Sequence, residues 1–339
     1  MIRHKNDYLN ETIIAEVGSV HDGSFGNACK LVELAASCGA DIVKFQTHIA
    51  SQETLKNAPQ PPYFRGEPRY DYFERTSFNN NEWRQLKKIC EINNVTFMSS
   101  PFSIKAIAIL EAIDTKIYKV PSGEINNIPL IEELAKIGKP VLISSGMSSW
   151  EDLDLAVNIL SKKCPTAIMQ CTSIYPCPPE KVGLNIIPEM RKRYGENILI
   201  GFSDHTKGFN AAIAAATLGA NIIEKHFTFS KHMYGSDASL AMEPDDFKIL
   251  CKELKLLWRS LKSPINKNDL NDLMDMKSIF EKSIVSARDI KAGEIINLKD
   301  LAFKKPGTGI PTKDYKKLIG LELKYDIPFD HLFNKKDFI

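Results

Sequence analysis

Two histidines, His205 and His226, each follow a short β-branched run of the sequence. If those runs are neighbouring strands of one sheet, the two imidazoles come together at the same edge. Two neutral imidazole nitrogens would anchor a divalent ion such as manganese(II), with magnesium(II) or cobalt(II) as alternatives, and would leave positions for substrate oxygens and water. A nearby carboxylate, Asp204 or Glu224, suits the orientation of such ligands. A hydrogen-bonded pair of histidines that lines a pocket is the alternative interpretation.

Cations and hydroxyls follow the ends of other short β-branched runs: Lys44, Ser100, Lys119, Ser122, Ser144, Ser173 and Ser203. Lysine supplies a point charge and hydroxyls supply directed donors, so this set suits a small, multiply charged anion that carries phosphate and carboxylate. A single lysine of this kind is more often a solvated loop charge, but several at successive run ends favour a site. No GxxxxGK[ST] loop and no GxGxxG after a strand supports a nucleotide-phosphate site.

A further polar set could hold the hydroxyls of a co-substrate: Asp22, Gln46, Glu124 and Asp237, with Tyr175 as a wall. Each of these residues alone is more often a cap or turn residue. Cys171 and Cys177 have no visible base partner in the sequence, so we expect buried thiols rather than nucleophiles.

The elements that must position these residues alternate strand and helix from residue 12 to about 260. Eight strands are predicted, over 12–17, 41–45, 95–98, 117–120, 140–143, 167–170, 198–201 and 221–224. Eight strand–helix pairs in roughly 250 residues predict an α/β fold, the (β/α)8 barrel, whose functional groups gather at the carboxyl ends of the strands. Gly39 and Gly219 are predicted to end helices in the left-handed conformation.

The predicted domains are a barrel over residues 1–262, a linker over 263–282 and a small β-rich domain over 283–339. Between the second strand and its helix lies an insertion, roughly 49–80, which is rich in Pro and aromatic residues around 59–64. Long loops at this face of a barrel form lids or substrate walls. The tail contains Pro-Gly and Thr-Gly turns and little helical periodicity, which is typical of a compact β-rich module.

The composition excludes several classes of partner. Lys and Arg number 44 against 42 Asp and Glu, which gives a net charge of +2 and favours neither nucleic acid nor an anionic membrane. The longest apolar stretches, such as 211–220, are shorter than the roughly 18–20 residues that cross a bilayer. Residues 1–6 lead into no apolar signal core. Seven cysteines without a CxxC pair favour reduced thiols and a cytoplasmic location.

At the predicted strand ends the chain resembles the sialic acid synthase family, the phosphoenolpyruvate-dependent synthases of N-acetylneuraminate and legionaminate type. The resemblance is carried by IAEVG at 14–18 with HDG at 21–23, KFQTH at 44–48, SSPF at 99–102, KVPSGE at 119–124, CTSIYP at 171–176, SDHT at 203–206 and EKHFT at 224–228. The tail, with ARDIKAGE at 287–294 and KKPGTG at 304–309, resembles the antifreeze-like (SAF) domain. The resemblance implies a domain-swapped homodimer in which this domain caps the partner's barrel.

The same resemblance implies a role for each residue. His205 and His226 match the metal ligands, Asp22 matches an acidic residue near the reacting carbons, and Glu124 matches a sugar-side position. Asp22 and Glu124 are the two catalytic candidates, because either could position or deprotonate the attacking water. The phosphoenolpyruvate positions are matched by Lys44, Ser100, Lys119, Ser122, Ser144, Ser173 and Ser203, and the sugar positions by Gln46, Tyr175, Asp237 and Lys305. Lys305 stands where the family carries Arg, and lysine cannot form a planar bidentate fork, so the acceptor sugar is left open.

The implied reaction joins C3 of phosphoenolpyruvate to the aldehyde of a mannose-type sugar, with a divalent metal polarising the aldehyde. Water then adds at C2 and phosphate leaves, which gives a nine-carbon 2-keto-3-deoxy sugar acid. Two alternatives from the residues are a Schiff-base aldolase that uses Lys119 or Lys225 and a metal-dependent hydrolase on the same fold. A third is a non-catalytic carbohydrate- or ice-binding protein.

Overall fold

In a computed structural model of the chain, the structure describes residues 9–60, 66–235 and 237–339. The predicted absence of a signal core at 1–6 and the Pro-Pro-Tyr-Phe part of the insertion lie outside the described residues. The chain divides into two compact units, Met1–Ser263 and Pro264–Ile339. In the described part of the chain, no helix has the length and apolar character that a bilayer span requires.

The first unit is the predicted parallel barrel, closed in the order β1 to β8. Its strands are β1 Thr12–Gly18, β2 Ile42–Thr47, β3 Thr96–Pro101, β4 Tyr118–Val120, β5 Val141–Ser144, β6 Thr166–Gln170, β7 Leu199–Asp204 and β8 Ile222–His226. The barrel closes through β1 and β8, where Ile14 pairs with Glu224 and Glu16 with His226. The predicted fold class is therefore confirmed, and the predicted strands match the observed ones to within a few residues at each end.

Helices follow the strands around the barrel: α1 Phe25–Cys38, α2 Ala50–Glu53, α3 Arg69–Thr76, α4 Asn80–Ile92, α5 Ile104–Ala112, α6 Ile128–Ile137, α7 Trp150–Leu160, α8 Ile186–Tyr194, α9 Asn210–Thr217 and α10 Pro244–Leu261. The first begins at Ser24, whose hydroxyl accepts the N–H of Asn27 at 3.2 Å. Gly39 and Gly219 both have φ +101°, as predicted for glycines that end helices.

The barrel has an apolar core on each side of its strands. Outside, residues such as Ile13, Ala15 and Val17 of β1 pack with the helices. Inside lies a separate cluster, here called the inner apolar layer: Ile14, Ile42, Met98, Ile117, Leu142, Ala167, Met169 and Ile222, with Leu9. Because side chains alternate along a strand, the residues two positions further on also face inward. Those next positions carry the polar residues of the site.

The second unit contains α11 Met274–Phe280 and the antiparallel strands β9 Ser283–Ser286 and β10 Leu301–Lys304. Its own core consists of Ile284, Ile290, Ile296, Leu301, Leu318, Leu323, Ile327 and Phe333. Asp337 is fully buried there and accepts from the N–H of Asn334 at 2.8 Å and from His331 at 2.9 Å. This is the small β-rich module that the tail predicts.

Candidate active site

The carboxyl ends of the barrel strands surround a cavity of about 600 Å³. They meet there because parallel strands all end at the same face of the barrel. The lining brings together most of the residues predicted for chemistry: Lys44, Gln46, Lys119, Ser122, Glu124, Ser144, Ser173, Tyr175, Ser203, His205, His226 and Asp237. Asp22 and Ser100 are not among the described lining residues, and Lys305 belongs to the second unit.

Two lysines and two glutamates form a buried network at the inner end of the cavity, here called the charged layer. The Nζ of Lys44 lies 2.8 Å from Oε2 of Glu16 and 3.5 Å from Oε1 of Glu224. The Nζ of Lys119 donates to Oε2 of Glu224 at 2.6 Å. Although burial opposes its charge, Lys119 and Lys44 lower the pKa of Glu224, so that carboxylate stays ionised. The ammonium groups are thus held in place before any ligand binds.

The two lysines differ in their electrostatic environment. Burial opposes the charge on Lys44, but Glu16 and Glu224 outweigh it and raise the pKa of that ammonium. Burial, together with the charge of Lys44, lowers the pKa of Lys119 although Glu224 counteracts both. With two cations and two carboxylates, the charged layer is formally neutral. A bound anion would therefore be recognised by the fixed position of the two ammonium groups rather than by a large excess of positive charge.

Hydroxyl groups converge beside Gly146. Ser122 accepts the N–H of Gly146 at 3.0 Å and lies 3.1 Å from the sulfur of Cys171. A Cβ on Gly146 would come within 2.6 Å of the Ser122 hydroxyl and 2.3 Å of the Ser173 hydroxyl. Only glycine therefore allows these strand ends to approach so closely. Burial raises the pKa of the Cys171 thiol, which keeps it neutral and agrees with the expected buried thiol.

Two further predicted anion-site serines, Ser203 and Ser100, differ in their bonding. Ser203 donates to Oε1 of Glu224 at 3.1 Å, so it belongs to the wall of the charged layer. Ser100 is fully buried beside Gln46 in the β2–β3 register, and its hydroxyl has no hydrogen-bond partner among the described residues. An unpaired buried hydroxyl is unfavourable by roughly 1–3 kcal/mol, which marks it as a donor or acceptor that a bound molecule can satisfy.

His205 and His226 face each other across the cavity with ring centroids 5.7 Å apart. The Nδ1 of His205 is 2.8 Å from the carbonyl oxygen of Thr172, so Nδ1 carries the proton and Nε2 keeps a lone pair. Burial, with a smaller contribution from His226, lowers the pKa of His205 to about 3 and keeps the ring neutral. The Nδ1 of His226 is buried, has no hydrogen-bond partner among the residues that the structure describes, and lies 3.8 Å from Oδ2 of Asp237.

This arrangement fits a divalent cation. It offers one imidazole nitrogen with a lone pair, one buried imidazole nitrogen that lacks a hydrogen bond, and a carboxylate close by. Within the described ranges no group of three or more His, Cys, Asp or Glu forms a complete ligand cage. The donor set thus matches a site in which two imidazoles hold the ion and oxygen ligands come from substrate and water.

The predicted sugar-side residues Gln46, Glu124, Tyr175 and Asp237 line the same cavity. Gln46 donates from Nε2 to Oε1 of Glu16 at 2.8 Å. Glu124 accepts from Asn127 at 2.7 Å, and burial raises the pKa of its carboxyl group. The ring of Tyr175 lies against His205, with centroids 4.3 Å apart. A carboxyl group with a raised pKa is suited to proton transfer near neutral pH.

Asp22 and Lys305 are engaged elsewhere. The carboxylate of Asp22 accepts from Nη2 of Arg75 at 2.7 Å, and the same guanidinium binds Glu67 at 2.6 Å. In the second unit, the ammonium of Lys305 lies 4.8 Å from the ring centroid of Phe280. The catalytic role of Asp22 and the sugar-side role of Lys305 stay predictions.

Several lining residues were not predicted from the sequence: Glu16, Ser19, His48, Glu53, Thr54, Arg69, Phe73, Phe102 and Met147. Glu16 and His48 belong to motifs at predicted strand ends. Their positions in the sequence therefore indicated the site, although their residue types alone did not. Glu53, Thr54, Arg69 and Phe73 come from the insertion that follows β2. That segment was expected to form a lid or a wall, and these residues do line the cavity.

Both units of the chain are similar to known proteins. Residues 31–266 match the NeuB family and residues 281–338 match the SAF domain. The chain is 33% identical to the N,N'-diacetyllegionaminic acid synthase of Campylobacter jejuni, covering 91% of this chain and 94% of that protein. It is 33% identical to the human N-acetylneuraminate-9-phosphate synthase, in an alignment that covers 94% of this chain and 90% of the human protein. A pseudaminic acid synthase of Campylobacter jejuni is 30% identical over 96% of each.

Solved structures agree with the fold. The N-acetylneuraminic acid (sialic acid) synthetase of Leptospira borgpetersenii, in complex with citrate, has a TM-score of 0.70 at 28% identity and covers 79% of this chain and 90% of that one. The spore coat polysaccharide biosynthesis protein spsE of Bacillus subtilis has a TM-score of 0.66 at 27% identity. It covers 97% of this chain and 95% of its own chain. The second match extends over both units of this chain.

Proposed function

This chain belongs to the NeuB family, and on that premise we propose that it condenses phosphoenolpyruvate with a mannose-type aldose, N-acetylated in the form we favour. The products are a nine-carbon 2-keto-3-deoxy sugar acid and phosphate. The observation that carries the proposal is one cavity in which two buried ammonium groups, a set of hydroxyls and two facing imidazoles meet. A three-carbon anion and a six-carbon sugar together account for nine carbons.

Phosphoenolpyruvate is assigned to the side of the cavity that carries the charged layer. Lys44 and Lys119 supply positive charge, and the hydroxyls of Ser122, Ser144, Ser173 and Ser203 supply donors for phosphate and carboxylate oxygens. Ser100, buried with an unused hydroxyl, is the seventh member of this proposed set. Donors that are fixed before binding need no reorganisation during the reaction, which favours the transition state.

A divalent metal, manganese(II) in our proposal, would be held by His205 and His226. When bound, it supplies a Lewis acid that polarises the sugar aldehyde. The chain prepares this site by keeping His205 neutral and by directing the Nδ1 proton of His205 to the carbonyl of Thr172. Asp237 lies 3.8 Å from His226 and is placed to orient that imidazole or the sugar.

The proposed reaction forms one carbon–carbon bond, between C3 of phosphoenolpyruvate and the aldehyde carbon, while the aldehyde oxygen takes up a proton. A water oxygen then bonds to C2, and the C2–O bond to phosphate breaks as the keto group forms. Glu124 lines the cavity with a raised pKa and is placed to move the proton of that water. Asp22 is the second candidate, although Arg75 already binds its carboxylate.

The Schiff-base alternative is disfavoured by the bonding of its two lysines. Lys119 is held by Glu224 at 2.6 Å, and Lys225 is held by Asp204 at 2.8 Å and by the carbonyl of Thr206 at 2.6 Å. Burial lowers the pKa of both ammonium groups, but each donates to an anion. A nucleophilic amine must be neutral and free to attack a carbonyl carbon.

The test is to offer phosphoenolpyruvate with N-acetylmannosamine, its 6-phosphate and a diacetamido 6-deoxy sugar, with and without manganese(II). We expect phosphate release together with a product whose mass equals that of the sugar plus pyruvic acid, for at least one sugar. His205→Ala should abolish condensation and leave the fold intact, while His232→Ala, an exposed histidine, should keep full activity. Turnover that survives chelation and is trapped by borohydride would instead identify the aldolase.

A homodimer, a sugar-side role for Lys305 and a cytoplasmic location belong to the same proposal. The free cysteines and a metabolic intermediate as substrate support that location. Sedimentation velocity tests the homodimer.

The variant Lys305→Met tests the role of Lys305 at the sugar. A KM for the sugar equal to that of the unmodified chain would remove Lys305 from the proposed site.

A further inference from the structure

His48 lies two residues beyond Gln46 in the wall of the cavity and has a partner on each ring nitrogen. Its Nδ1 is 2.6 Å from Oε1 of Glu53, and its Nε2 is 3.0 Å from Oε1 of Gln46. The other oxygen of Glu53 accepts the N–H of Ile49 at 3.1 Å. The side chains of His48 and Glu53 are only 3% and 6% exposed. His48 is therefore a buried bridge between the insertion and the end of β2.

The hydrogen bonds determine where the protons are. Gln46 must donate from Nε2 to Glu16, because Glu16 is a carboxylate paired with Lys44. The amide oxygen of Gln46 therefore faces His48, which must donate to it from Nε2. Nδ1 faces the carboxylate of Glu53 at a distance typical of a charge-assisted hydrogen bond, so it carries a proton as well. A ring that donates from both nitrogens is an imidazolium.

Aromatic rings enclose this cation. The ring centroids of Phe73 and His48 are 3.6 Å apart, and the angle between the two ring planes is 15°. The ring of Phe102 lies 4.1 Å away at 21°. An aromatic face carries negative charge density and favours a cation above it. The guanidinium of Arg69 lies 5.2 Å from the centroid of Phe73, so two cations stack on that ring.

Two other titratable groups, His21 and Glu124, interact with this pair. Burial, with a smaller contribution from His48, lowers the pKa of His21 to about 3, so His21 is neutral. Glu124 interacts with Glu53 across the cavity, and burial raises the pKa of Glu124.

We infer that His48, held by Glu53, is a positioning residue for the acceptor sugar: it fixes the amide of Gln46 so that a spare N–H is available to an oxygen of the sugar. This inference rests on the proposed function. The chain of contacts runs from Glu53 through His48, Gln46 and Glu16 to Lys44. It joins the sugar side of the cavity to the anion side.

One consequence concerns specificity. The amide oxygen of Gln46 accepts from His48, and one of its N–H groups donates to Glu16. What it has left for the substrate is one N–H. The sugar position beside Gln46 is therefore a hydrogen-bond acceptor, a hydroxyl or acyl oxygen, and a sugar that is deoxygenated at that position should bind more weakly.

The kinetic test uses His48→Phe, which keeps an aromatic ring between Phe73 and Phe102 but removes both N–H donors. We expect the KM for the sugar to rise about tenfold or more, the cost of a lost charge-assisted hydrogen bond, while the KM for phosphoenolpyruvate changes less than twofold. Glu53→Gln should raise the sugar KM in the same direction by a smaller factor. His232→Phe, at an exposed histidine, is the matched control.

An unchanged sugar KM in His48→Phe would mean that the ring only fills space, and a parallel rise of both KM values would mean general damage. Either result overturns the inference while the unmodified enzyme still turns over. No turnover by the unmodified enzyme with any sugar would instead overturn the proposed function.

Nitrogen NMR of the full chain labelled at histidine gives a readout that does not depend on activity. At pH 7.5 we expect both ring nitrogens of His48 to carry protons, and Glu53→Gln to return the ring to a neutral tautomer. A neutral His48 ring in the unmodified protein, with an unprotonated Nδ1, would overturn the inference, because the proton would then reside on Glu53. This measurement also decides the matter if His48→Phe does not fold.

Discussion

Two layers of side chains inside the same barrel lie two residues apart along the strands, yet one layer is apolar and the other is charged. The inner apolar layer consists of aliphatic and sulfur-containing side chains that pack together. The charged layer holds four ionised groups in the same width of barrel. Their members are separated by two residues in each case, as in Ile14 and Glu16, Ile42 and Lys44, Ile117 and Lys119, and Ile222 and Glu224.

The difference shows how a barrel separates stability from chemistry. Two residues of a strand span roughly 6.6 Å, so a short advance along each strand moves from a dry, close-packed interior to a cavity that opens to solvent. Most of the apolar layer packs at or near the amino ends of the strands. The charged layer is thereby held on rigid supports, and its ion pairs fix the ammonium groups that the proposed anion would contact.

The largest expected effect is on the charged layer. Lys119→Met removes one cation from Glu224 and one proposed ligand for the phosphoenolpyruvate anion. We expect kcat/KM for phosphoenolpyruvate to fall about 10³-fold and the free energy of unfolding to fall by roughly 3 kcal/mol, because the carboxylate then keeps the more distant Lys44, at 3.5 Å, and the neutral hydroxyl of Ser203. Steady-state kinetics and urea unfolding measure both.

Lys116→Met is the matched control, since Lys116 is an exposed lysine whose partner, Asp114, is also exposed. Its stability should change by about 0.5 kcal/mol or less and its kinetics should be unaltered. A Lys119→Met enzyme with normal affinity for phosphoenolpyruvate would show that the charged layer is structural only.

The second effect is on the inner apolar layer. Leu142 lies two residues before Ser144 on β5 and is fully buried. Leu142→Ala should lower the free energy of unfolding by about 2–5 kcal/mol, through lost burial and the cavity it leaves. At a temperature where the variant is folded, its KM values should stay within about twofold. The control Leu155→Ala, at a half-exposed leucine on α7, should change stability far less.

The comparison of layers also shows what the sequence could predict. Periodicity placed the strands, and the rule that barrel sites lie at the carboxyl ends located Lys44, Lys119, His205 and His226 in one cavity. These predictions depend only on alternation along each strand and on the parallel order of the strands. Both are local or topological properties, and a single amino-acid sequence is enough to infer them.

Pairing between distant strands could not be predicted in the same way. Glu224 was expected to orient a metal ligand, yet its oxygens contact Lys44, Lys119 and Ser203. The partner of a side chain depends on strand tilt and rotamer, and several lysines and carboxylates compete for each position. For the same reason Arg75, which lies within the insertion after β2, was not foreseen as the partner of Asp22.

The smallest effect concerns a third environment, a buried titratable group that has neither the apolar character of one layer nor the ion pairs of the other. His21 is 2% exposed, its ring stacks on Phe78 with centroids 4.4 Å apart, and its Nδ1 accepts the N–H of Gly23 at 3.2 Å. Burial lowers its pKa to about 3, so the ring is neutral in the folded protein.

Because the unfolded chain protonates His21 below about pH 6.5 and the folded chain does not, stability is complete above that pH and is lost as the pH falls from 6.5 towards 3. His21→Asn keeps an acceptor for Gly23 and removes the titration. As the pH falls over that range, we expect the free energy of unfolding of this variant to decrease less steeply than that of the unmodified chain. The two slopes should differ by up to about 1.4 kcal/mol per pH unit. Urea unfolding at pH 7 and 5.5 measures the difference, and His232→Asn, exposed before and after unfolding, should keep the original slope. An identical slope in His21→Asn would mean that the folded protein protonates this ring and that its burial carries no electrostatic penalty.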